Sequence, residues 1–436
     1  MAADALTATL AASLADTERR HLRRVRRTVE RFPELPEEAP DSAEVVLEGR
    51  RLVNFCGNDY LALSRHPAVG AALREAAARW GVGSGASHLV TGHGLEHERL
   101  EEALAAYVGR ERALLFSTGY MANLAVVSAL AGRGDRVLLD RLCHASLIDA
   151  AMLSGARLQR YQHADAGAAE RMLRTMRGAA HGGSSQIAQI PPIDGEASEA
   201  SEPRRNHATL IVTDGLFSMD GDLAPIGELV AAAERHGAQL IVDDAHGLGV
   251  LGASGRGTLE HLGIAPGHVP VLVGTLGKAF GTFGAFVAGS GALIETLIQR
   301  ARSYIYTTAL PHALAAAARA ALEVSQSESW RRERVLELAG RFRSAATERR
   351  IPLSASATPI QPIIVGSPEA ALMASRRLMQ AGFWVAAIRP PTVPAHTARL
   401  RITVSAAHTE AQIDALVEAL GNALDHEPSG SQPVRR

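Results

Sequence analysis

The 436-residue chain has few of the residues that several classes of protein require. Its two cysteines, Cys56 and Cys143, exclude a disulfide framework and a cysteine-rich zinc site, which favours a reducing cytoplasm. It has only 9 Phe, 6 Tyr and 3 Trp on which nucleic-acid bases could stack. Because 45 Lys and Arg balance 46 Asp and Glu, the net charge of -1 supplies no field to attract nucleic acid or an anionic membrane. We therefore expect neither kind of partner.

Uncharged stretches long enough to cross a membrane are also scarce. Residues 113–132 carry no charge over 20 residues, a length that could span a bilayer. Ser-Thr-Gly-Tyr at 117–120 and Asn123 interrupt this stretch, so a strand, a turn and a helix describe it better. The N-terminal segment contains Asp4 and Asp16 and has no basic region before its apolar part, so we expect no export signal and a cytoplasmic protein.

The composition is that of a folded protein with more than one domain. Hydrophobic residues make up 47% and charged residues 21%, and at roughly 150 residues per domain the length predicts two or three domains. Residues 1–45 are predicted to form an amphipathic, Arg-rich helix (HLRRVRRTVERF) and an acidic linker (PELPEEAPDS). Residues 46–325 form the predicted large domain, and 326–436 a smaller C-terminal α+β domain. Residues 178–205, rich in Gly, Ser, Pro and Glu, are predicted to be a flexible surface insertion.

Short apolar runs alternate with Ala-rich helical stretches through the large domain. The runs are RALLFSTG, RVLLDRL, ATLIVTDGLFS, AQLIVDDAHG, VPVLVGTLGK and GAFVAG. Runs separated by helical stretches indicate βαβ units, so we predict an α/β fold with a mostly parallel central sheet. In the C-terminal domain, TPIQPIIVG, FWVAAIRPP and RLRITVSAAH are predicted strands with helices between them.

Polar and charged residues stand where three of these runs end. In an open α/β sheet, ligands bind beyond the carboxyl ends of the strands, so such residues are candidates for a functional site. They are Asp214, Ser218, Asp243, Asp244, His246, Thr275 and Lys278. Among them, we interpret Asp214 as a turn former.

Lys278 leaves an apolar run into a Gly-rich stretch, GTLGKAFGTFG. Near the edge of the core its ammonium group would lose hydration, which lowers the pKa and makes the amine a better nucleophile towards carbonyl carbons. A lysine considered alone could simply extend to solvent at the rim of the sheet. Together with the acidic strand end at Asp243, it favours a Schiff-base lysine and a carboxylate for a pyridinium nitrogen.

Three segments are candidate phosphate loops. Residues 247–252 (GLGVLG) match the dinucleotide fingerprint, but they open no helix and no ribose-binding acid follows at the expected spacing. The Gly-Lys pair at 277–278 lacks both the first glycine and the Ser or Thr of a P-loop. At 117–120 a strand turns into a helix whose backbone N–H groups could bind phosphate, although a plain strand-to-helix turn fits equally well.

Six strings of the sequence resemble the α-oxoamine synthases. They are GNDYLALSRHP, DRLCHASLIDA, TDGLFSMDGDLAPI, VDDAHGLGVLGASGRG, VGTLGKAFGTFGA and AIRPPTVPAHTARLRITVSAAH, in consistent order from about Arg50 to Leu424. The resemblance implies the PLP-dependent transferase fold of type I, with pyridoxal 5′-phosphate as the cofactor. The stretch from Arg389 to Arg401 resembles the branch of the family that acts in biotin biosynthesis.

The sequence also departs from the family pattern. Gly57 and Ala62 replace family-typical small or glycine residues, and His396 stands where glycine is usual. Residues 33–43 and 181–205 look inserted. His396 lies near the expected substrate loop, so this departure could alter the fit of an acyl chain.

The resemblance implies catalytic and cofactor-binding roles for five residues around the ring. Lys278 would bind the cofactor as a Schiff base and then act as general acid and base. Asp243 would keep the pyridine nitrogen protonated, and His246 would hydrogen-bond the phenolic oxygen of the ring. His144 would stack on the ring, with Ser218 close to the ring oxygen.

A phosphate site shared within a homodimer is implied as well. Thr275 and the backbone of Gly119 and Tyr120 would bind the phosphate within one chain. Thr307 and Thr308 would reach the phosphate of the neighbouring subunit. The alternative for these two threonines is a polar loop that leads into the next helix.

Substrate contacts are implied for four further residues. Arg389 would bind the carboxylate of the amino acid through two hydrogen bonds. Asn58 and Thr392 would line the substrate side, and an N-terminal arginine, Arg24, would reach the substrate. The implied substrates are L-alanine and a pimeloyl thioester of CoA or of an acyl carrier protein, which condense with loss of carbon dioxide.

Two other functions stay open from the sequence. A sister α-oxoamine synthase, such as 2-amino-3-ketobutyrate CoA ligase, 5-aminolevulinate synthase or a sphingoid-base synthase, would share the Lys278 chemistry. A catalytically silent scaffold is disfavoured because the implied catalytic residues are intact. The 17 histidines contain no H-E-x-x-H pattern, so no metal is predicted. Cys143, beside His144, is interpreted as a buried, inert thiol.

Overall fold

The computed structural model describes residues 2–33, 42–178 and 207–424. The predicted acidic linker and the predicted 178–205 insertion fall outside these residues, except at their ends. The helices are α1 (Ala2–Arg19), α2 (Pro67–Trp80), α3 (Leu95–Val108), α4 (Gly119–Leu130), α5 (Ala145–Ser154), α6 (Ala166–Gly178), α7 (Ile226–His236), α8 (Thr258–His261), α9 (Gly291–Arg300), α10 (Arg302–Ile305), α11 (His312–Ser327), α12 (Trp330–Glu348), α13 (Pro368–Gln380) and α14 (Glu410–Leu424). The strands are β1 (Val29–Arg31), β2 (Glu44–Leu47), β3 (Arg50–Asn54), β4 (Arg112–Phe116), β5 (Arg136–Asp140), β6 (Arg157–Tyr161), β7 (Thr209–Asp214), β8 (Gln239–Asp243), β9 (Val271–Thr275), β10 (Ala285–Gly289), β11 (Ile360–Gly366), β12 (Phe383–Trp384), β13 (Ala386–Ile388) and β14 (Ala398–Thr403).

A seven-stranded sheet in the order β4-β10-β9-β8-β7-β5-β6 forms the centre of the molecule. The five strands from β9 to β6 are parallel, and β10 is antiparallel to both β4 and β9. Leu240 and Val242 of β8 belong to one apolar cluster and Ile241 to another. Because both faces of the sheet are covered, its strands other than β6 are continuous apolar runs in the sequence. The predicted α/β fold with a mostly parallel sheet is confirmed.

One strand of this sheet, β6, has no apolar run in its sequence, RLQRY, and was not predicted. It lies at the edge and pairs only with β5. Of its residues only Tyr161 is buried. An edge strand of this kind is missed because its burial, and therefore its apolar content, is low.

The segment 113–132 forms the end of β4, a turn and α4, as predicted from its interruption at 117–120. In the described part of the chain, no helix is both long and apolar enough to cross a membrane.

The C-terminal strands belong to two smaller sheets. One is antiparallel, in the order β11-β14-β13, and the other has the order β1-β2-β3-β12. FWVAAIRPP, predicted as one strand, is therefore two strands divided at the buried Val385, because its halves pair with different sheets. The pairing of β12 with β3 crosses the predicted boundary between the large and the C-terminal domain, and that division stays a prediction.

The predicted position of the N-terminal helix is wrong. The helix is α1, whereas HLRRVRRTVERF at 21–32 is extended and includes β1, which pairs with β2. His21, with a φ of 55°, lies in the left-handed region just after α1. The apolar residues at 22, 25, 29 and 32 have the spacing of one helix face, which favours a helix in the sequence. In the structure Val29 and Arg31 pair with β2 instead and Val25 is 73% exposed, so strand pairing with a distant segment outweighs the local pattern.

Candidate active site

Two aspartates end neighbouring parallel strands side by side. Asp214 of β7 and Asp243 of β8 are register partners, and both are buried. Burial, followed by the negative charge of Asp243, raises the pKa of Asp214. The Asp214 Oδ2 atom accepts a hydrogen bond of 2.8 Å from the backbone N–H of His144. The interpretation of Asp214 as a turn former is therefore wrong, because Asp214 ends β7 and its carboxyl group lies in the site and holds His144, the N-cap of α5.

Lys278 follows β9 and lies near both carboxyl groups. Its side chain is half-buried, and loss of hydration lowers its pKa to about 8, although the charges of Asp243 and Asp214 act in the opposite direction. An appreciable share of the amine is therefore unprotonated and nucleophilic near neutral pH. Lys278 is also the only lysine in the chain, so no other side-chain amine competes for an aldehyde.

A chain of hydrogen bonds joins Asp243 to His144. Asn123 of α4 is buried, and its Nδ2 donates to Asp243 Oδ2 at 2.6 Å and to Ser146 Oγ at 2.8 Å. Ser146 Oγ lies 2.7 Å from His144 Nδ1. The other oxygen of Asp243 accepts from the N–H of Ala245 at 3.0 Å. The Asp243 carboxylate is thus fixed in orientation by the protein itself.

His246 reaches the site from the turn after β8. Burial, followed by the positive charge of Lys278, lowers the pKa of His246, so its ring is neutral. Its Nδ1 lies 2.7 Å from the hydroxyl of Tyr60, and that hydroxyl donates to Asn58 Oδ1 at 3.4 Å. Arg401 of β14 also donates to Asn58 Oδ1, at 3.0 Å. The antiparallel three-stranded sheet is therefore connected to the site through Asn58.

Ser218 lies in the loop between β7 and α7. Its carbonyl oxygen accepts from Arg401 Nε at 2.6 Å. Next to it, Arg399 Nη1 donates to Asp220 Oδ1 at 2.6 Å and to the carbonyl of Met219 at 3.0 Å. Both arginines are buried, so two charged donors of β14 hold the tip of this loop.

The predicted phosphate turn is the start of α4. Thr118 is the N-cap, and its hydroxyl accepts from the N–H of Met121 at 3.2 Å. Apart from its chain neighbours and the backbone of α4, no described residue lies within 4 Å of the place where Gly119 would carry a Cβ, so the space beside this turn is open. Tyr120 is exposed and donates to Asp149. Thr275 is buried, and in this structure its hydroxyl donates to the carbonyl of Gly284 at 3.1 Å.

The predicted substrate residues Arg24, Arg389 and Thr392 lie together. Arg24 donates to the Thr392 hydroxyl at 3.1 Å. Arg389 Nη1 donates to the carbonyl of His21 at 2.6 Å, and both of its Nη atoms lie 3.3 Å from the carbonyl of Arg23. Burial, followed by the charge of Arg24, lowers the pKa of Arg389. The N-terminal segment thus packs against the loop that follows β13.

Thr307 and Thr308 lie between α10 and α11. Thr308 is exposed and Thr307 half-buried, and neither hydroxyl has a hydrogen-bond partner among the described residues. The backbone just after them is fixed, because the N–H of Ala309 donates to the carbonyl of Ala86 at 2.9 Å.

Residues 247–252 form turns, and the next helix, α8, begins at Thr258. Asp244 accepts from the N–H of Thr258 at 2.6 Å and from its hydroxyl at 2.5 Å, and burial raises the pKa of Asp244 to about 7. This segment therefore opens no helix on which a dinucleotide could rest. Asp244 orders the turns after β8.

Two departures from the family pattern adopt positive φ angles. Ala62 has a φ of 57° and His396 a φ of 64°, a region in which glycine is favoured. Burial raises the pKa of the Cys143 thiol far above its ordinary value, which agrees with an inert cysteine. No group of residues in the described ranges has the arrangement of a metal site.

The groups around Lys278 fit pyridoxal 5′-phosphate by their chemistry. Lys278 offers an amine to the aldehyde, and the oriented Asp243 carboxylate offers a partner to the pyridine nitrogen. The open N-terminus of α4 at Gly119 offers N–H groups to a phosphate. His246 and His144 supply neutral rings beside these groups.

Comparisons with known proteins agree with this arrangement. Residues 50–420 match the profile of aminotransferase class I and II. The chain is 56% identical over 417 residues to 8-amino-7-oxononanoate synthase of Methylococcus capsulatus, covering 96% of this chain and 98% of the relative. It belongs to the family of the 8-amino-7-oxononanoate synthases, within aminotransferase class I and II. The predicted family and enzyme class are confirmed.

Two solved structures are similar to this chain in their fold as well as in sequence. A serine palmitoyltransferase from S. paucimobilis with bound PLP and myriocin has a TM-score of 0.82 and 29% identity, covering 95% of this chain and 96% of that one. An 8-amino-7-oxononanoate synthase from Francisella tularensis has a TM-score of 0.69 and 30% identity, covering 86% and 98%. The predicted PLP-dependent fold of type I is confirmed for this member of the 8-amino-7-oxononanoate synthase family.

Four residues of the site were not predicted from the sequence. They are Tyr60, Asn123, Ser146 and Arg401, all buried. Asn123 interrupts an otherwise apolar helix, which is a signal in the sequence that a polar partner is near. Arg401 alternates with apolar residues in a buried strand, which is a similar signal.

Proposed function

We propose that the protein condenses L-alanine with a pimeloyl thioester to give 8-amino-7-oxononanoate, carbon dioxide and the free thiol, as a step of biotin synthesis. The observation that carries the proposal is the only lysine of the chain beside Asp243, whose carboxylate is oriented by Asn123. The predicted cofactor, pyridoxal 5′-phosphate, is confirmed by the family and by the PLP-bound neighbour. The 56% identity to a named synthase supports the choice of substrates.

Each residue around the cofactor would have a separate role in the reaction. When bound, the cofactor supplies an electron sink for negative charge at the α-carbon of alanine. Asp243 would keep the pyridine nitrogen protonated, and the neutral His246 would hydrogen-bond the ring oxygen. Lys278, whose pKa is near 8, would take the proton from the α-carbon and return one to the product. His144, on the open side, would pack on the ring, with Ser218 near the ring oxygen.

Binding of the substrates is proposed for the cluster of Arg24, Arg389 and Thr392. A guanidinium group matches a carboxylate with two parallel hydrogen bonds. In this structure Arg389 donates hydrogen bonds to the carbonyls of His21 and Arg23. The carboxylate of alanine must therefore replace these two carbonyl groups as acceptors. Asn58 and Thr392 would line the substrate side.

We also propose a homodimer in which Thr307 and Thr308 complete the phosphate site of the partner subunit. Their hydroxyls have no partner in the part of the chain that the structure describes, and the backbone beside them is fixed, which supports this role. The test is subunit mixing, in which a Lys278→Ala chain is combined with a chain that carries Thr307→Ala and Thr308→Ala. A hybrid has one doubly damaged site and one intact site, so activity should rise above that of either parent. Hybrids that form and stay inactive would refute the shared site.

The function itself is tested first by spectroscopy and trapping. The wild type should gain visible absorbance with pyridoxal phosphate, and borohydride should fix one cofactor per chain on the peptide that contains Lys278. Lys278→Ala and the charge-conserving Lys278→Arg should show neither signal, because no other lysine exists. A wild-type protein that stays colourless would overturn the proposal.

The substrate choice is tested by a matrix of amino acids and thioesters. Alanine, glycine and serine should be paired with pimeloyl-, acetyl-, succinyl- and palmitoyl-CoA, and alanine also with the pimeloyl carrier-protein thioester. We expect the highest kcat/KM for alanine with a pimeloyl donor. Serine with palmitoyl-CoA is the second candidate, because a serine palmitoyltransferase superposes with a TM-score of 0.82. A higher kcat/KM for serine with palmitoyl-CoA would refute the proposed substrates and assign the protein as a serine palmitoyltransferase instead.

The place of the reaction is proposed to be the cytoplasm. The two cysteines, one partly buried and one buried, form no disulfide, which suits a reducing compartment.

A further inference from the structure

A histidine outside the candidate active site lies between two carboxylates. His163 Nδ1 is 2.9 Å from Asp140 Oδ1, and its Nε2 is 2.9 Å from Asp222 Oδ2. Ionised carboxylates only accept hydrogen bonds, so both ring nitrogens carry hydrogen and the ring is an imidazolium. The Asp140 side chain is 1% exposed and that of His163 21%. The Asp222 side chain is 32% exposed, so the ion pair with Asp140 is largely shielded from water and the ion pair with Asp222 only partly.

The first carboxylate shapes the turn that leads to His144. Asp140 is the last residue of β5. Besides His163, its carboxylate accepts from the N–H of Leu142 at 2.8 Å and from the N–H of Ala164 at 2.7 Å. His144 follows four residues after Asp140 and caps α5. The orientation of Asp140 thus determines where this turn places His144.

The second carboxylate belongs to the loop that carries Ser218. The tip of this loop is closed by two hydrogen bonds of 2.9 Å, from the N–H of Phe217 to the carbonyl of Asp222 and from the N–H of Gly221 to the carbonyl of Phe217, and its base by one of 3.0 Å from the N–H of Ala224 to the carbonyl of Gly215. The ring of His163 meets that of Phe217 edge-on, with centroids 4.4 Å apart. Asp222 Oδ1 is buried without a partner among the described residues, so His163 supplies the charged donor to this side chain.

We propose that His163 is a positioning residue, which bridges the 140–144 turn and the 215–224 loop so that His144 and Ser218 keep their places around Lys278. The proposal rests on the proposed function only for what His144 and Ser218 act on. The physical reason is that removal of the imidazolium leaves Asp140 and Asp222 facing each other as like charges, which pushes the loop away from β5.

The first test measures the loop directly and needs no substrate. Hydrogen–deuterium exchange should be compared for the wild type and His163→Phe, which keeps a ring against Phe217 but has no donors. We expect faster exchange of the amides in 215–224 and 140–144, with the central strands unchanged. His268→Phe is the matched control, because His268 forms an exposed pair with Glu234 at 2.8 Å. Unchanged exchange in both segments would overturn the proposal.

The second test distinguishes bridging from simple packing. Asp222→Asn alone removes the ion pair and should speed up exchange of the loop. In the His163→Phe background, however, Asp222→Asn removes the repulsion from Asp140 and should restore part of the protection. A ring that only fills space would give no such reversal of sign, so additive effects of the two changes would refute the bridge. If His163→Phe does not fold, the same pair of measurements is made with His163→Asn.

The third test connects the loop to turnover. A displacement of about 1 Å in a positioned group can cost up to roughly 100-fold in rate, so His163→Phe should lower kcat between about 10-fold and 100-fold, with the KM for the acyl thioester within about 2-fold. The double variant should recover part of kcat. Unchanged kcat with a loosened loop would refute the positioning role. If the protein does not catalyse the proposed condensation, the exchange and sign-reversal results still decide whether the bridge exists.

Discussion

The His163 bridge makes the stability of the protein depend on pH. Burial alone would lower the pKa of His163, but its hydrogen bonds to Asp140 and Asp222 outweigh burial and raise the pKa from 6.5 to about 10. A group with a raised pKa in the folded state contributes stability that is complete below pH 6.5 and is lost as the pH rises through 10. About 3.5 pH units at roughly 1.4 kcal/mol each correspond to about 5 kcal/mol of unfolding free energy, and screening by water at the partly exposed His163 and Asp222 reduces this to about 3 to 5 kcal/mol.

The assay is thermal unfolding of the cofactor-free wild type and of His163→Phe from pH 6 to pH 10. In a chain of 436 residues, at roughly 2 cal/mol/K of unfolding entropy per residue, 1 kcal/mol shifts Tm by about 1 °C. The Tm difference between the two proteins should therefore narrow by about 3 to 5 °C as the pH rises.

Other groups titrate in the same pH range, and the comparison cancels them. Burial lowers the pKa of Lys278 to about 8, so in the cofactor-free protein its contribution to stability increases between about pH 8 and 10.5. Cys143 and Tyr161, near Asp140, have pKa values that burial raises, which acts in the opposite direction above their ordinary values. All three are present in both proteins. A Tm difference that stays constant or widens with pH would refute the reasoning.

Three further predictions concern the site. Arg389→Lys keeps the charge but loses the paired hydrogen bonds, so the KM for alanine should rise about 10-fold or more with the cofactor absorbance unchanged. Loss of the cofactor with unaltered alanine affinity would contradict the assignment. Asn123→Leu removes the donor to Asp243, so the Kd of pyridoxal phosphate should rise at least about 10-fold. An unchanged Kd in titrations would show that the orientation of Asp243 does not depend on Asn123. Tyr60→Phe removes the hydroxyl 2.7 Å from His246, and a fall in kcat of about 5-fold with a Tm lowered by only about 1 to 3 °C is expected. A kcat equal to that of the wild type would exclude a role for this contact.

The ends of the buried strands were the part of the molecule most open to prediction. A strand with both faces covered must be apolar throughout, so Asp243 at the end of β8 stands out against the run before it. Lys278 stands out in the same way after β9. The count of lysines is a stronger signal still, since the one lysine of the chain is the proposed Schiff-base residue.

The positions that escaped prediction depend on contacts far apart in the sequence. Asp214 was interpreted from its own neighbourhood, whereas its role follows from its pairing with Asp243, 29 residues later, and from its bond to the N–H of His144. β6 lies at the edge of the sheet, where only Tyr161 is buried, so its sequence can be polar and gives no sign of a strand. The division of FWVAAIRPP between two sheets is likewise set by partners, since β3 and β14 lie in different parts of the chain.

The loop from 215 to 224 shows why such partners matter for the site. Backbone hydrogen bonds fix the base of the loop, because the N–H of Ala224 donates to the carbonyl of Gly215 at 3.0 Å and the N–H of Gly215 donates to the carbonyl of Asp243 at 2.7 Å. The tip of the loop is held by charged donors on two flanks, His163 on the side of β5 and the buried pair Arg399 and Arg401 on the side of β14. Because charge-assisted hydrogen bonds are short and directional, each flank restricts the loop in a different direction. The placement of Ser218 therefore depends on both the central sheet and the antiparallel C-terminal sheet.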